Sequence, residues 1–275
     1  MGESNIQLLS RFKIGIVGCG HLGQSIAQSL LKHGLERENL LISSRGSQKT
    51  LENLRAAGLL QNLTTNQMIF EQAGIVLITI RPQDILELEK IVVPEKTLIV
   101  SCMAGVSIDF IHSVLDTPVY RMMFSGPDTI AQDNGVASMF PEHDLLKQLL
   151  QGMNLEYVKS ASETDLDVFT AGVCLPAALL KIGQVDIQSS LNAIQSEYPL
   201  FTELYQWAAS ILPDFKTDME KNQYIEKMIT KGGVTEAIIN SLSIGESFET
   251  ALCNGVKRTR EISKEIQESI HPDLS

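Results

Sequence analysis

Positive charge is scarce in this chain: 22 Lys and Arg stand against 33 Asp and Glu, a formal net charge of −11. Binding along a nucleic-acid backbone draws on clustered Lys and Arg, so no such partner is expected. Docking on an anionic membrane surface is disfavoured for the same reason. No apolar run approaches the roughly 20 residues that a membrane span needs. Cysteine is equally thin. Cys19, Cys102, Cys174 and Cys253 lie far apart, with no C-x-x-C and no interleaved His. That excludes a disulfide scaffold and offers no metal-ligand pattern, so reduced thiols and no metal are expected. The opening Met1-Gly-Glu-Ser-Asn-Ile-Gln7 has no basic stretch followed by an apolar run, so no secretory leader is read there. Ile6 stands where acylation at Gly2 wants Ser or Thr. The expectation is a soluble, cytoplasmic protein. Acidity still leaves room for a local basic site that takes a small anion.

What is present is an ordinary globular composition, 44% apolar and 20% charged, which argues against wholesale disorder. A length of 275 residues fits two modest domains or one large one. Continuous apolar runs at 13–17, 40–43, 74–80, 97–101 and 118–122 read as buried strands. Helical patterns fall between them, at 22–32 and 48–57, which predicts a parallel sheet covered on both faces. Segments 136–140 and 155–158 extend it at its edge. After about Ser160 the pattern turns helical, with segments at 177–182, 201–212, 223–229, 235–242 and 248–266. The chain is therefore divided into a Rossmann dinucleotide-binding domain, 1–160, and an all-helical domain, 161–275. The many apolar positions of the helical part predict a homodimer. A self-contained bundle resting on the first domain is the alternative.

Gly18-Cys-Gly-His-Leu-Gly23 spells G-x-G-x-x-G directly after a strand and at the opening of a helix. In that context the first Gly permits a tight turn. The second lets backbone approach a pyrophosphate, and the third lets the helix pack on the strand. Gly18, Gly20, His21, Leu22 and Gly23 are thus candidate cofactor residues, with the phosphates over a helix N-terminus. A nicotinamide site for NAD carries Asp or Glu about 20 residues on. This chain has Ser43-Ser44-Arg45 there, then Lys49, and no carboxylate until Glu52. Ser44, Arg45 and Lys49 suit a 2′-phosphate, so NADP(H) is favoured over NAD(H). A merely solvated Arg45 is the other reading. Later strand ends contribute Ile80, Arg81 and Pro82, then Ala104 and Gly105, then Ser125. Gly105 is expected to bring backbone close to the cofactor, and Pro82 to start a helix.

Taken in order, these motifs resemble the pyrroline-5-carboxylate reductase family. The resemblance runs through residues 14–23, 43–45, Ile78-Thr-Ile-Arg-Pro-Gln83, Ser101-Cys-Met-Ala-Gly105 and Arg121-Met-Met123. In the helical part it includes Asp167-Val-Phe-Thr-Ala171, Pro176-Ala177, Thr230-Lys-Gly-Gly-Val-Thr235 and Arg258-Thr-Arg-Glu261. It implies an NAD(P)H-dependent reduction of a cyclic imine, 1-pyrroline-5-carboxylate to L-proline, at a site shared by the subunits of a dimer. Gly232, Gly233, Val234 and Thr235 would cradle the substrate carboxylate, and the Thr235 hydroxyl would bond the ring nitrogen. Read from the residues alone, Gly-Gly-x-Thr is also simply a cap between two helices.

The sequence departs from the family's pattern at Phe124, Ser125, Val173, Leu175 and Lys231. These departures keep two alternatives in view, a different imine or carbonyl substrate and an inactive NADP(H)-binding protein. Imine reduction needs placement more than side-chain chemistry, so the lack of a catalytic His is no obstacle. His33, His112, His143 and His271 share no motif. Lys181 lacks the Asn four residues on that a hydroxyacid-dehydrogenase lysine has, Val185 standing there, and reads as a surface lysine. Glu163, Asp165 and Asp167 suit a helix start, and Met122 and Met123 read as strand core.

Overall fold

The computed structural model describes residues 11–182 and 186–270. Expectations that rest on Gly2 and Ile6, on Val185 or on His271 lie outside those residues. Strand β1 (Ile14–Val17) is buried at every position, and so is β3 (Ile75–Ile78). With β2 (Leu40–Ile42), β4 (Leu98–Ser101), β5 (Val119–Phe124), β6 (Val136–Phe140) and β7 (Glu156–Tyr157) they form one sheet, ordered β2-β1-β3-β4-β5-β6-β7. The chain crosses from β2 over β1 to reach β3, so the order reverses between β1 and β3. Open α/β sheets bind ligands at the carboxyl ends of the strands beside such a reversal.

Both faces of the sheet are covered, which is why its strands read as unbroken apolar runs. On one face Ile26 and Leu30 of α1 (His21–Lys32) and Leu146 and Leu150 of α6 (Asp144–Gly152) pack over Ile16, Leu77 and Met122. On the other, α3 (Asn66–Gln72) and α4 (Ile108–Leu115) cover Val76, Ile78 and Ile99. A Cβ on Gly15 would lie 2.3 Å from Ile69, so α3 rides directly on the backbone of β1. Helix starts are set locally: Ser47 caps α2 (Gln48–Ala56) by accepting from the Thr50 amide, Thr65 caps α3 and Ser107 caps α4.

The sheet is parallel through β5, as the apolar runs predict, but β6 runs antiparallel to β5. Segment 125–135 holds only the short α5 (Pro127–Ala131), too little chain to return the length of the sheet for a parallel start.

Beyond β7 the chain is helical: α7 (Asp165–Gly172), α8 (Leu175–Lys181), α9 (Ile187–Ile194), α10 (Leu200–Ser210), α11 (Asp218–Met228), α12 (Val234–Ser243) and α13 (Phe248–Ile270). Of these, α9 is unanticipated, and α7 is foreshadowed only by its acidic start. Leu166, Val168, Phe169, Ala171 and Gly172 of α7 are all buried, and a helix buried nearly all round shows no amphipathic stripe. Phe169, Leu175, Phe201, Leu204, Leu252 and Val256 close a core within one chain. Met123, Val136 and Val158 join this core, so the helices rest on the β5–β7 side of the sheet.

Candidate functional site

Of the three glycines after β1, Gly18 makes the tight turn and Gly23 the helix packing that their spacing predicts. Gly18 has φ +86°, and a Cβ there would lie 2.4 Å from the Ile80 side chain and 2.9 Å from its amide nitrogen. The turn is pinned by the Gly18 amide donating to Ser43 Oγ (3.2 Å) and the Cys19 amide to the Ser43 carbonyl (2.6 Å). A Cβ on Gly23 would meet Thr79 Oγ1 at 2.8 Å and the Gly18 carbonyl at 3.1 Å, so the helix lies tight on the strands. Gly20 is different: a Cβ there would meet only the Gly18 carbonyl oxygen, at 3.9 Å, an ordinary van der Waals contact without crowding. Gly20 is the N-cap of α1, it gives no side-chain cap, and the first turn carries no acidic residue. A concave run of backbone with uncapped amides at a helix start fits a pyrophosphate. The residues present thus fit a dinucleotide, with His21 and Leu22 in that first turn. His21 is exposed and faces Asp128 of α5 across 4.0 Å. Cys19 lies buried beneath the loop, and burial pushes its thiol up to about 12, so it stays neutral.

The other expected cofactor residues are placed unevenly. Ile80 lies against Gly18, and Arg81 caps the 3₁₀ segment Pro82–Leu88 with Pro82 at its start. Ser44 accepts from the Gly46 amide at 3.2 Å, and Lys49 is exposed on α2. Arg45, expected to be open to a phosphate, is already held: its Nη2 lies 2.6 Å from Asp84 Oδ1 and 2.6 Å from Glu87 Oε1. The hydrogen bond to Asp84, joined by that to Glu87, holds the guanidinium above its ordinary value. Ala104 is exposed, but Gly105 serves another contact than the one expected. At φ +74° it lets α13 approach, and a Cβ there would meet the Ser263 backbone at 3.1 Å and Ile266 at 2.8 Å. The close approach that the fold makes at Gly105 is to α13. Ser125 is likewise engaged inside its loop: Oγ accepts from the Val136 amide (3.0 Å) and lies 2.6 Å from Thr129 Oγ1. Thr129 Oγ1 donates to the Gly126 carbonyl at 3.0 Å, so the Ser125 proton goes to Thr129.

In the helical part, Gly233 caps α12 and Val234 and Thr235 open it. Both readings of Gly-Gly-x-Thr meet here, because a cap is also an anion nest. The expected cradle changes in detail. The Gly232 amide already donates to Glu236 Oε2 (2.7 Å), and the Gly233 amide to the Thr230 carbonyl (2.8 Å). That leaves the amides of Val234 and Thr235 in the first turn for a carboxylate. Glu236 is three residues into the helix, where a carboxylate reaches back over a helix start; that signal was available in the sequence. Arg258 of α13 was not foreseen at this site. Its Nε donates to the Gly232 carbonyl at 2.9 Å, and Glu265 and Glu261 hold its far side. Ser263 at Gly105 and Arg258 at Gly232 are one helix apart by about 8 Å of rise, so α13 ties the two loops together.

Thr235 Oγ1 donates to Cys174 Sγ at 3.2 Å, and Cys174 Sγ donates to the Thr170 carbonyl at 3.6 Å. Burial pushes the Cys174 thiol up to about 11. It is therefore neutral, and its lone pairs take the Thr235 proton. Among the departures from the family pattern, Leu175 is fully buried, Val173 and Phe124 are half-buried in the cores, and Lys231 is exposed. Lys181 is exposed at the end of α8. Among the described residues no group of three or more His, Cys, Asp or Glu side chains is placed to hold a metal ion, and no helix is long and apolar enough to cross a membrane.

A family model for NADP oxidoreductases, coenzyme F420-dependent, matches residues 13–105. Pyrroline-5-carboxylate reductase of Aquifex aeolicus is 24% identical to this chain, covering 94% of it and 99% of the relative. Two solved structures share the fold. The Streptococcus pyogenes 1-pyrroline-5-carboxylate reductase covers 92% of this chain and 98% of its own, at TM-score 0.56 and 19% identity. The Plasmodium falciparum pyrroline carboxylate reductase with NADP bound covers 94% and 98%, at TM-score 0.56 and 18% identity. Over nearly its whole length this chain is thus similar to pyrroline-5-carboxylate reductases, and its first part matches a model of NADP-dependent oxidoreductases.

Proposed function

We propose that the protein is an NADPH-dependent reductase of a cyclic imine, with 1-pyrroline-5-carboxylate as substrate and L-proline as product. One observation carries the reading: Gly20 is uncrowded at a helix start without a side-chain cap, between two glycines whose own surroundings are packed tight. When bound, the coenzyme supplies the hydride, and the chain supplies placement. The Gly20 amide is taken by the Gly18 carbonyl, so the amides of His21 and Leu22 would hold the pyrophosphate, and Ser44, Arg45 and Lys49 would serve the 2′-phosphate. Ile80, Arg81, Pro82 and Ala104 line the crevice. The Val234 and Thr235 amides hold the substrate carboxylate. Because Thr235 commits its proton to Cys174, its oxygen lone pairs are left to accept from the N–H of a protonated imine. The hydride that the coenzyme would supply converts the C=N bond of a protonated imine to a secondary amine. No side chain has to deliver a proton.

A different imine or carbonyl is the second reading. Glu236 favours it, since its carboxylate already takes the Gly232 amide that a substrate carboxylate was expected to use. Steady-state assays with both coenzymes separate the two. Turnover of pyrroline-5-carboxylate with NADPH supports the first; turnover only with another imine or carbonyl supports the second. NADPH binding with no turnover across such a panel contradicts both. Thr235→Ala is expected to lower kcat by about 10²-fold, the usual cost of one donor or acceptor aimed at the reacting atoms, with NADPH affinity unchanged. Unchanged turnover would remove Thr235 from the reaction.

The same proposal assigns the coenzyme to 1–160 and the substrate to 161–275, in a cytoplasmic homodimer. The four cysteines, unpaired in the fold, suit a reducing compartment. Met219 and Ile244, 70% and 77% exposed on the helical half, offer apolar surface to a second copy. Light scattering that gave one chain, 30.3 kDa, would contradict the dimer.

A further inference from the structure

We propose that Asp84 and Glu87 restrain the coenzyme preference of this site by occupying Arg45 against a 2′-phosphate. The inference rests on the coenzyme site proposed above and adds the residues that oppose the phosphate within it. Its basis is the 3₁₀ segment Pro82–Leu88. Such a helix turns once in three residues, so side chains at i and i+3 eclipse. Asp84 and Glu87 are an i, i+3 pair, stacked on one face, and both close on Arg45 Nη2 at 2.6 Å. The second oxygen of Asp84 accepts from Arg81 Nε at 3.2 Å. Asp84 is the inner member, its side chain 13% exposed, while Glu87 is an outer arm at 58%. Two guanidinium groups therefore stand against two carboxylates, and the cluster is neutral.

A 2′-phosphate brought to Arg45 meets a cation whose donors are shared with carboxylates, and it meets those carboxylates as like charges. A ribose with a free 2′-hydroxyl meets neither cost. Ser44, Arg45 and Lys49 thus pull toward NADPH while Asp84 and Glu87 pull back, and the balance is an enzyme that accepts both coenzymes with a modest preference. Glu87, the exposed arm, is the member that a mutation relieves without disturbing the core.

The test is fluorescence titration of NADPH and NADH at one ionic strength against the wild type, Glu87→Gln, Asp84→Asn and Arg45→Ala, with thermal melts to verify each fold. Glu87→Gln is expected to tighten NADPH about fivefold and NADH by less than about twofold, the scale of an exposed charge pair. The gap should narrow as added salt screens it. Asp84→Asn is expected to act in the same direction. NADPH affinity that is unchanged or weakened in both carboxylate variants overturns the proposal, and so do equal shifts for the two coenzymes. Arg45→Ala should weaken NADPH alone; no effect there removes the premise and overturns it as well. Failure of the underlying site is a separate outcome, seen as a wild type that binds neither coenzyme.

Discussion

Gly20 and Gly23 are three residues apart and answer to different partners. A Cβ on Gly20 would make only an ordinary contact with the Gly18 carbonyl at 3.9 Å, so a methyl would cost the fold little and would stand where the pyrophosphate is expected. Gly20→Ala should keep the melting temperature within about 2 °C, a small stability change for a chain of this size, while weakening NADPH about tenfold or more. Gly23 faces Thr79 and the Gly18 carbonyl, so Gly23→Ala should cost about 1–3 kcal/mol of stability as α1 is pushed off the strands. Urea unfolding and coenzyme titration read the two effects separately. If Gly20→Ala bound NADPH as well as the wild type, the phosphate would not lie against Gly20. At this scale much was legible, because a glycine's role follows from its place between strand and helix. The occupancy of Arg45 was not, since Asp84 and Glu87 are about 40 residues away along the chain and meet it only through the order of β2, β1 and β3.

Elements are joined by polar side chains at their ends, and Glu142 is the plainest case. Standing just before α6, it takes Lys147 of that helix at 2.8 Å, Lys159 beyond β7 at 3.0 Å and the Tyr157 hydroxyl of β7 at 3.1 Å. The hydrogen bond from Lys147, then that from Lys159, holds its carboxyl down to about 2. A depressed carboxylate contributes stability above its unfolded pKa, and that contribution is lost as pH falls toward the folded one. Wild type should therefore melt above Glu142→Gln at about pH 6, and the gap should close between about pH 4.5 and 2. A gap that persists at about pH 2 would contradict the assignment. The strands were legible for a related reason: burial on both faces leaves continuous apolar runs. The reversal of β6 was not, because an apolar run is the same read in either direction.

At the scale of the molecule, the sheet and the helical half are tied by a partly buried ion pair. Arg121 of β5, 7% exposed at its side chain, donates to Glu163 Oε1 at 2.8 Å, and the same oxygen accepts from the Ile108 amide at the start of α4 at 2.9 Å. Arg121 Nε is buried without a partner, so the pair is incompletely satisfied. Burial raises the carboxyl of nearby Asp167, and Arg121 opposes that rise. Arg121→Ala leaves Glu163 facing α4 without its cation and should cost about 3 kcal/mol in urea unfolding. A loss under about 0.5 kcal/mol would show that the pair is not a joint of the fold. Arg121 was legible as part of a motif, and its partner was read only as a carboxylate near a helix start.

Local chemistry is what the amino-acid order determines unaided: apolar runs of strand length, glycines where backbone must turn or be approached, and a helix start at Gly233-Val234-Thr235. Those features depend on neighbours within a few residues, and they were sufficient to mark Gly20 as a candidate dinucleotide position. Tertiary structure alone decided which charges meet, since Arg45 with Asp84, Arg121 with Glu163 and Arg258 with Gly232 are joined across long stretches of chain. It also decided that Gly105 yields to α13 and that Glu236 and Cys174 stand beside the groups expected to hold the substrate. The reason is physical: a side chain's partner is set by how elements pack, and packing sums many weak contacts that no short stretch of sequence contains.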